Sequence, residues 1–325
     1  MILNNFRYSF HTVITAKSGF INHLNTKLYK SYFDYKEIMV CIICRYGELA
    51  LKGKNREFFE KQLVQNIKKQ MNKSEIECSI RKIRGRIFLE AESIDSVNVL
   101  QRVFGLVTVS IAQQVELDFE LISKKVIEYV RSNLKGVSTF RVSTTRTNKS
   151  FKKTSIETDR EIGARIVEEF GLKVKLKKPD LEIGIELQDS AYIYHEKNEC
   201  GGGLPVGVTG RVSCLLENKK SVLAAIRMMR RGCTIQFIYF EELFGEYLDL
   251  LNSFSPEPIK VEKITTEEFE QKFFGCNNIL VTGDTINELE VIRDLSCKGI
   301  ILLNPLLTYD SESISLELEQ LKNGK

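Results

Sequence analysis

The 325-residue chain contains no stretch of about 18 apolar residues, the minimum for a hydrocarbon-spanning helix, so no membrane span is expected. It has eight cysteines, too thin a supply for a disulfide scaffold, and no secretory leader stands ahead of them. Reduced thiols and a cytoplasmic location are the expectation. The three histidines, His11, His23 and His195, are too scattered for a metal site, and none is expected. Internal repeats and low-complexity tracts are also missing. What remains is ordinary globular material: 43% hydrophobic and 28% charged residues, enough for roughly two or three domains.

Charge is unevenly placed. Residues 199–325 carry 13 Lys/Arg and 19 Asp/Glu, a balance of −6, whereas residues 1–198 carry 34 and 24, a balance of +10. A basic first part joined to an acidic last part points to a polyanionic partner for the former. Residues 1–38 are rich in Asn, Ser, Tyr and Phe and show no sustained period. They read as disorder or a start-site artefact with Met39 as the true start; a transit peptide is the other reading.

From Met39 the pattern sharpens. MVCIICRY reads as a buried strand, and REFFEKQLVQNIKKQM as a helix with an apolar stripe at Phe58, Phe59, Leu63, Val64 and Ile67. IECSIRKIRGRIFLEA closes as a hairpin around Arg84-Gly85; SVNVLQRVFG is a helix and VTVSIAQQVEL a strand. This β-α-β-β-α-β order predicts a ferredoxin-like unit over residues 39–117. A second unit, 118–198, opens with the amphipathic helix LISKKVIEYVRSNL. A strand runs into a basic loop (TFRVSTTRTNKSF), then comes a helix that Ser155 caps, and DLEIGIELQDSAYIYHEK gives two alternating strands. Past the Gly201-Gly202-Gly203 linker, strands near 210–216, 234–240, 278–282 and 299–303 alternate with helices, which predicts a parallel α/β sheet over 199–325. The fold class expected is α+β in the N-terminal half, then α/β.

Several segments together resemble the tRNA 4-thiouridine synthetase (tRNA sulfurtransferase) family: RYGELALKGKNREFFEKQL, RVFGLVTV at 102–109, FRVSTTRTNKSF at 140–151, GGLPVGVTGRV at 202–212, MMRRG at 228–232, VTGDTINEL at 281–289 and the weaker NPLL at 304–307. The resemblance implies a ferredoxin-like domain, a THUMP domain and a pyrophosphatase-loop domain that uses ATP to adenylate a tRNA uridine before sulfur replaces an oxygen. Longer members append a rhodanese domain; a short form without one is expected here.

The family's loop has the form SGGxDS. Between Leu215-Leu216 and Met228-Met229, this chain offers Glu217-Asn218-Lys219-Lys220-Ser221, one residue short, with both glycines gone and lysine at the aspartate position. Only Ser221 matches. Side chains then crowd the approach of backbone N–H groups to a phosphate, and Glu217, an acid better suited to the start of a helix, sets a carboxylate near it. Lys219 and Lys220 still offer ammonium groups at a helix N-terminus. Gly283 and Asp284 sit at a strand end where open sheets place ligands, with Asp284 read first as a loop cap before a helix. The C-terminal part has Cys214, Cys233, Cys276 and Cys297 but no CxxC; the single CxxC, Cys41 to Cys44, lies in a strand whose residues three apart face opposite ways, so those thiols read as core.

The candidate RNA-facing residues are Arg141, Arg146, Lys149, Lys152 and Lys153 in the THUMP-like strand and loop, with Lys52, Lys54 and Arg56 in the N-terminal turn. Lys173, Lys175, Lys177 and Lys178 read as a solvated strand face, and His195 as a surface residue. The expected function is that of a tRNA-binding THUMP protein in tRNA thiolation whose own ATP site is degenerate, with no catalytic residue assigned. Two other readings stand beside it. One is an active sulfurtransferase with ATP and Mg as cofactors and an altered phosphate site at Lys219, Lys220 and Ser221. The other is a docking or dimerisation subunit for an active modification enzyme, with helix 219–232 as the contact. tRNA, a sulfur donor or modification enzyme, and a second copy are the partners considered.

Overall fold

The computed structural model describes residues 39–48, 53–83, 85–242, 245–276 and 278–323. Arg84 and Lys52, and the expectations for residues 1–38, lie outside the described residues, as does the side chain of Lys54. Among the described residues the chain forms two compact units, one from 114–195 and one from 39–113 together with 196–325.

The first stretch follows the expected order: β1 (Val40–Tyr46), α1 (Arg56–Lys73), β2 (Cys78–Ile83), β3 (Arg86–Ala91), α2 (Ser96–Gln101) and β4 (Leu106–Val115). The strands lie in the order β2-β3-β1-β4, and all three pairings are antiparallel. Ile42 of β1 stands opposite Leu89 on one side and Ile111 on the other. The stripe of α1 closes one face: Leu63, Ile67 and Met71 are fully buried with Ile42, Leu89, Leu100 and Leu106. Each such side chain contributes about 1.5–3 kcal/mol from burial alone. Cys44 joins this core, and burial pushes its thiol well above the usual range, while Cys41 stays outside it.

Residues 114–195 form the second fold, with α3 (Phe119–Ser132), β5 (Thr139–Arg146), α4 (Ser155–Phe170), β6 (Lys173–Val174), β7 (Leu181–Leu187) and β8 (Ala191–Tyr194). Asp118 caps α3 by accepting from the amides of Glu120 and Leu121. The cap of α4 is Thr154, not Ser155. Thr154 Oγ1 accepts from Glu157 N at 3.2 Å while Glu157 Oε2 accepts from Thr154 N at 2.7 Å, so Ser155 is already the first helical residue. The expected alternation in the last two strands also differs. β7 is buried at six of seven positions and β8 at all four. β7 is a central strand, parallel to β5 and antiparallel to β8, so both its faces are covered. Gly184 makes room there, since a β-carbon on it would stand 2.2 Å from the Tyr194 ring.

The chain then returns through β9 (Asn198–Glu199), which pairs with β4, to β10 (Gly210–Leu215), α5 (Lys219–Arg230), β11 (Cys233–Tyr239), α6 (Leu248–Phe254), β12 (Val261–Lys263), α7 (Thr266–Phe273), β13 (Ile279–Val281), α8 (Leu289–Cys297), β14 (Ile301–Leu303) and α9 (Ser311–Lys322). The five strands are parallel in the order β12-β11-β10-β13-β14. Strand β12, only three residues long, was not expected. α5 is a core helix: Ser221 to Ile226 are all buried, so it offers little free face as a dimerisation element. The sheet domain and the ferredoxin-like half interlock. The Phe104 and Phe254 rings stack at 5.2 Å, Asn66 Nδ2 donates to the Val206 carbonyl at 3.0 Å, and Leu204 enters the ferredoxin-like core.

Candidate nucleic-acid interface and strand–helix loop

The loop between β10 and α5 is short and closed by its own groups. Asn218 has extended backbone and caps the helix, its Oδ1 accepting from Lys220 N at 2.8 Å. Ser221 Oγ accepts from the amides of Glu217 and Asn218 at 3.0 and 3.1 Å and donates to Asn218 O at 2.8 Å. These are the amides that a loop of this kind turns toward an anion, and here side chains of the same turn occupy them. Gly283, at the end of β13, presses on the first turn of α5; a β-carbon there would lie 2.5 Å from Ser221 N.

Both lysines of the loop are engaged. Lys220 Nζ lies 2.8 Å from Glu288 Oε1, and Lys219 Nζ donates to Ser315 Oγ of α9 at 2.9 Å. The hydrogen bonds from Lys220 and Thr285 hold the Glu288 carboxyl down at about 2. Glu217 moves the other way: burial raises its pKa, and the nearby Asp284 carboxylate raises it further. Asp284 does not cap the helix that follows. Thr285 does so, through a reciprocal box with Glu288, leaving Asp284 half-buried beside Glu217. Sequence reasoning missed Glu288, although Thr285-Ile-Asn-Glu288 spells a capping box and placed the acid at its third position.

The thiols of the sheet domain are dispersed. Cys214 and Cys233 are buried, Cys276 and Cys297 exposed, and burial raises the Cys214 thiol. Among the described residues no group of three or more His, Cys, Asp and Glu could hold a metal ion.

The basic residues of the 114–195 unit divide by what they touch. Arg146 Nη1 donates to the carbonyls of Phe151 and Lys153, both at 3.0 Å, and so braces the loop after β5. Lys153 binds both Glu161 oxygens at 2.7 and 2.8 Å and lies 4.4 Å above the Phe119 ring. Arg141 donates to the Leu176 carbonyl at 3.2 Å. Lys149 and Lys152 are exposed and form no ion pair with the described residues, as are Lys173, Lys175, Lys177 and Lys178. Phe151, next to Lys152, is buried and anchors the loop. His195 is half-buried, with its ring 4.9 Å from Tyr129. In the other unit, Arg56 Nε binds Glu60 Oε1 at 2.6 Å, and Glu60 also accepts from Tyr46 OH and meets Lys82 Nζ at 2.9 Å. Burial alone would raise the Glu60 carboxyl, but these three donors bring it below its usual range.

A ferredoxin-like fold, a mixed α/β unit of residues 114–195 and a parallel sheet domain are thus the parts from which the described residues are built. Residues 41–110 match the ThiI ferredoxin-like domain family and residues 116–196 the THUMP domain family. Together these two domains make up the N-terminal part of the chain, and the curated relatives that match it are named probable tRNA sulfurtransferases. A probable tRNA sulfurtransferase of Caldanaerobacter subterraneus subsp. tengcongensis is 37% identical over 203 residues, which cover 61% of this chain and 53% of that protein. The chain thus spans about half the length of the curated relatives it matches first. Among solved structures, PH1313 from Pyrococcus horikoshii Ot3 aligns with a TM-score of 0.74 and 30% identity, covering 87% of this chain and all of that one. A 4-thiouridine synthetase–RNA complex with bound ATP shares the fold at a TM-score of 0.73 and 24% identity, over 88% of this chain and 86% of the other. No helix among the described residues is long and apolar enough to cross a membrane.

Proposed function

We propose that this chain binds structured tRNA through its THUMP domain and serves tRNA thiolation without adenylating the uridine itself. One observation carries the second half. The amides of Glu217, Asn218 and Lys220, in the loop and first turn of α5, are taken by the side chains of Ser221 and Asn218, and Gly283 packs against the same turn. A triphosphate does not fit this donor set: its oxygens would meet satisfied amides, Lys220 already paired with Glu288, Lys219 turned to Ser315, and the Glu217–Asp284 carboxylates.

The RNA half rests on the THUMP domain match and on the exposed lysines Lys149 and Lys152 beside the braced loop. Folded RNA is recognised largely by shape and backbone, for which exposed ammonium groups beside a rigid strand are suited. Filter binding of the full chain to structured tRNA over a salt series tests this, with ATP turnover on the same tRNA followed by pyrophosphate release. The expected result is salt-sensitive binding without pyrophosphate. Release of pyrophosphate at tRNA-dependent rates would favour an active sulfurtransferase, in which Lys220 leaves Glu288 for a phosphate. A sulfur donor or a catalytic partner then remains to be supplied by another protein, and a cytoplasmic setting suits such work.

A further inference from the structure

A second cationic site lies in the unit formed by 39–113 and 196–325, away from the loop before α5. It is a cleft of about 420 Å³ where the end of α1, α2, the end of α6 and the end of α9 converge. Three cations from three different elements line it: Lys73 of α1, Arg102 just past α2, and Lys322 of α9. No aspartate or glutamate is among its lining residues. Asn98 and Asn323, both exposed, add neutral amide donors at its rim.

The cations are held rather than loose. The Arg102 guanidinium lies 5.9 Å from the centre of the Phe254 ring, which orients its planar fork. Lys73 Nζ donates to the carbonyls of Asn252 and Ser255, the latter at 2.6 Å. Lys322 lies over the Tyr247 ring at 3.7 Å, with the Glu246 carboxylate at 3.6 Å. Burial holds both Arg102 and Lys73 below their usual pKa, and for neither does a carboxylate offset the loss of water. Arg102 and Lys73, partly dehydrated and without a carboxylate partner among the described residues, are the two cations that an arriving anion would favour.

We propose that this cleft binds phosphate groups, with the Arg102 fork as its centre and Lys73 and Lys322 as its flanks. Planar, bidentate recognition by arginine suits a phosphate oxygen pair, and a cleft of this size admits a di- or triphosphate or one to two backbone phosphates of RNA. The site is independent of the THUMP reading and of the loop before α5.

The test uses the full chain and inorganic pyrophosphate, titrated by calorimetry against chloride at matched ionic strength. One saturable site is expected. Arg102→Gln should weaken it at least about tenfold, and Lys322→Gln, an exposed side chain at the end of α9 where folding is not at stake, by a smaller factor. Lys220→Gln should leave it unchanged, as should Lys149→Ala. A competition arm separates the sources: displacement of pyrophosphate by structured tRNA assigns the site to RNA backbone, and simultaneous binding of both assigns it to a free phosphorylated ligand. Absence of saturable binding, or loss with Lys220→Gln but not with Arg102→Gln or Lys322→Gln, would overturn the proposal.

Discussion

Gly283 and Ser221 touch backbone to backbone: a β-carbon on Gly283 would stand 2.5 Å from the Ser221 amide nitrogen. The glycine is there for want of space, not for an unusual φ. Nothing flexible can give way, because the nearest atoms are main-chain atoms of Lys220 and Ser221 and the β-carbon of Lys220. Gly283→Ala should therefore cost about 1–3 kcal/mol, the usual penalty of overpacking. Thermal and urea denaturation would measure it; an unchanged midpoint would mean that β13 and α5 separate readily.

The Lys220–Glu288 pair makes a pH-dependent contribution. The folded-state pKa of Glu288, about 2, lies below its ordinary 4.5. Stability from this group is thus complete above 4.5 and is lost as pH falls from 4.5 toward 2. Lys220→Met should bring the Glu288 carboxyl upward, toward its ordinary range, and flatten that part of the acid limb. Carboxyl-carbon NMR titration reads the shift directly, and an unmoved Glu288 resonance in the variant would contradict the pairing.

Glu217 has the opposite sign. Its raised pKa means that the ionised form is disfavoured in the fold by burial and by Asp284. The group's stability is full below its unfolded pKa and falls as pH rises through the folded one. Glu217→Gln should raise the melting temperature at pH 7 and change little at pH 4. Equal effects at the two pH values would show that the carboxyl is not desolvated.

In the THUMP domain, loop bracing and ligand contact belong to different residues. Arg146→Ala removes the donor to two carbonyls and should lower stability by about 1–3 kcal/mol, the price of leaving hydrogen-bonding groups unsatisfied. Lys149→Ala with Lys152→Ala should leave the melting temperature within experimental error. The double variant should reduce the slope of log K for tRNA against log salt by about 1–2, one phosphate contact per lysine. A slope that stays put would remove these lysines from the interface.

Much of the fold was legible in advance. Periodicity gave the β-α-β-β-α-β order of residues 40–115, because apolar residues of α1 such as Leu63 and Ile67 recur at helical spacing. Boundaries were less so: the caps fell at Thr154 and Thr285, each one residue from where Ser155 and Asp284 suggested, since a reciprocal Thr–Glu box outweighs a lone hydroxyl or carboxylate. β12 was hidden because Val261–Lys263 is too short to show any period. At the loop, the lack of glycine was visible in the sequence. The partners of its lysines were not, since Glu288 lies 68 residues from Lys220 and Ser315 lies 96 from Lys219. The acid-free cleft around Arg102 draws on four separate helices and left no linear trace.

The stacking of Phe104 on Phe254, and the burial of Leu204 among ferredoxin-like side chains, bear on how the molecule should be dissected. A fragment ending near 198 would strip apolar surface from both pieces and expose it to aggregation. Excision of 114–195 is the gentler cut, because Val109 and Asn198 already face each other across a ladder and need only a short turn to join them. Seen this way, the THUMP unit is a passenger in the chain, entered and left by neighbouring strands of an otherwise continuous body.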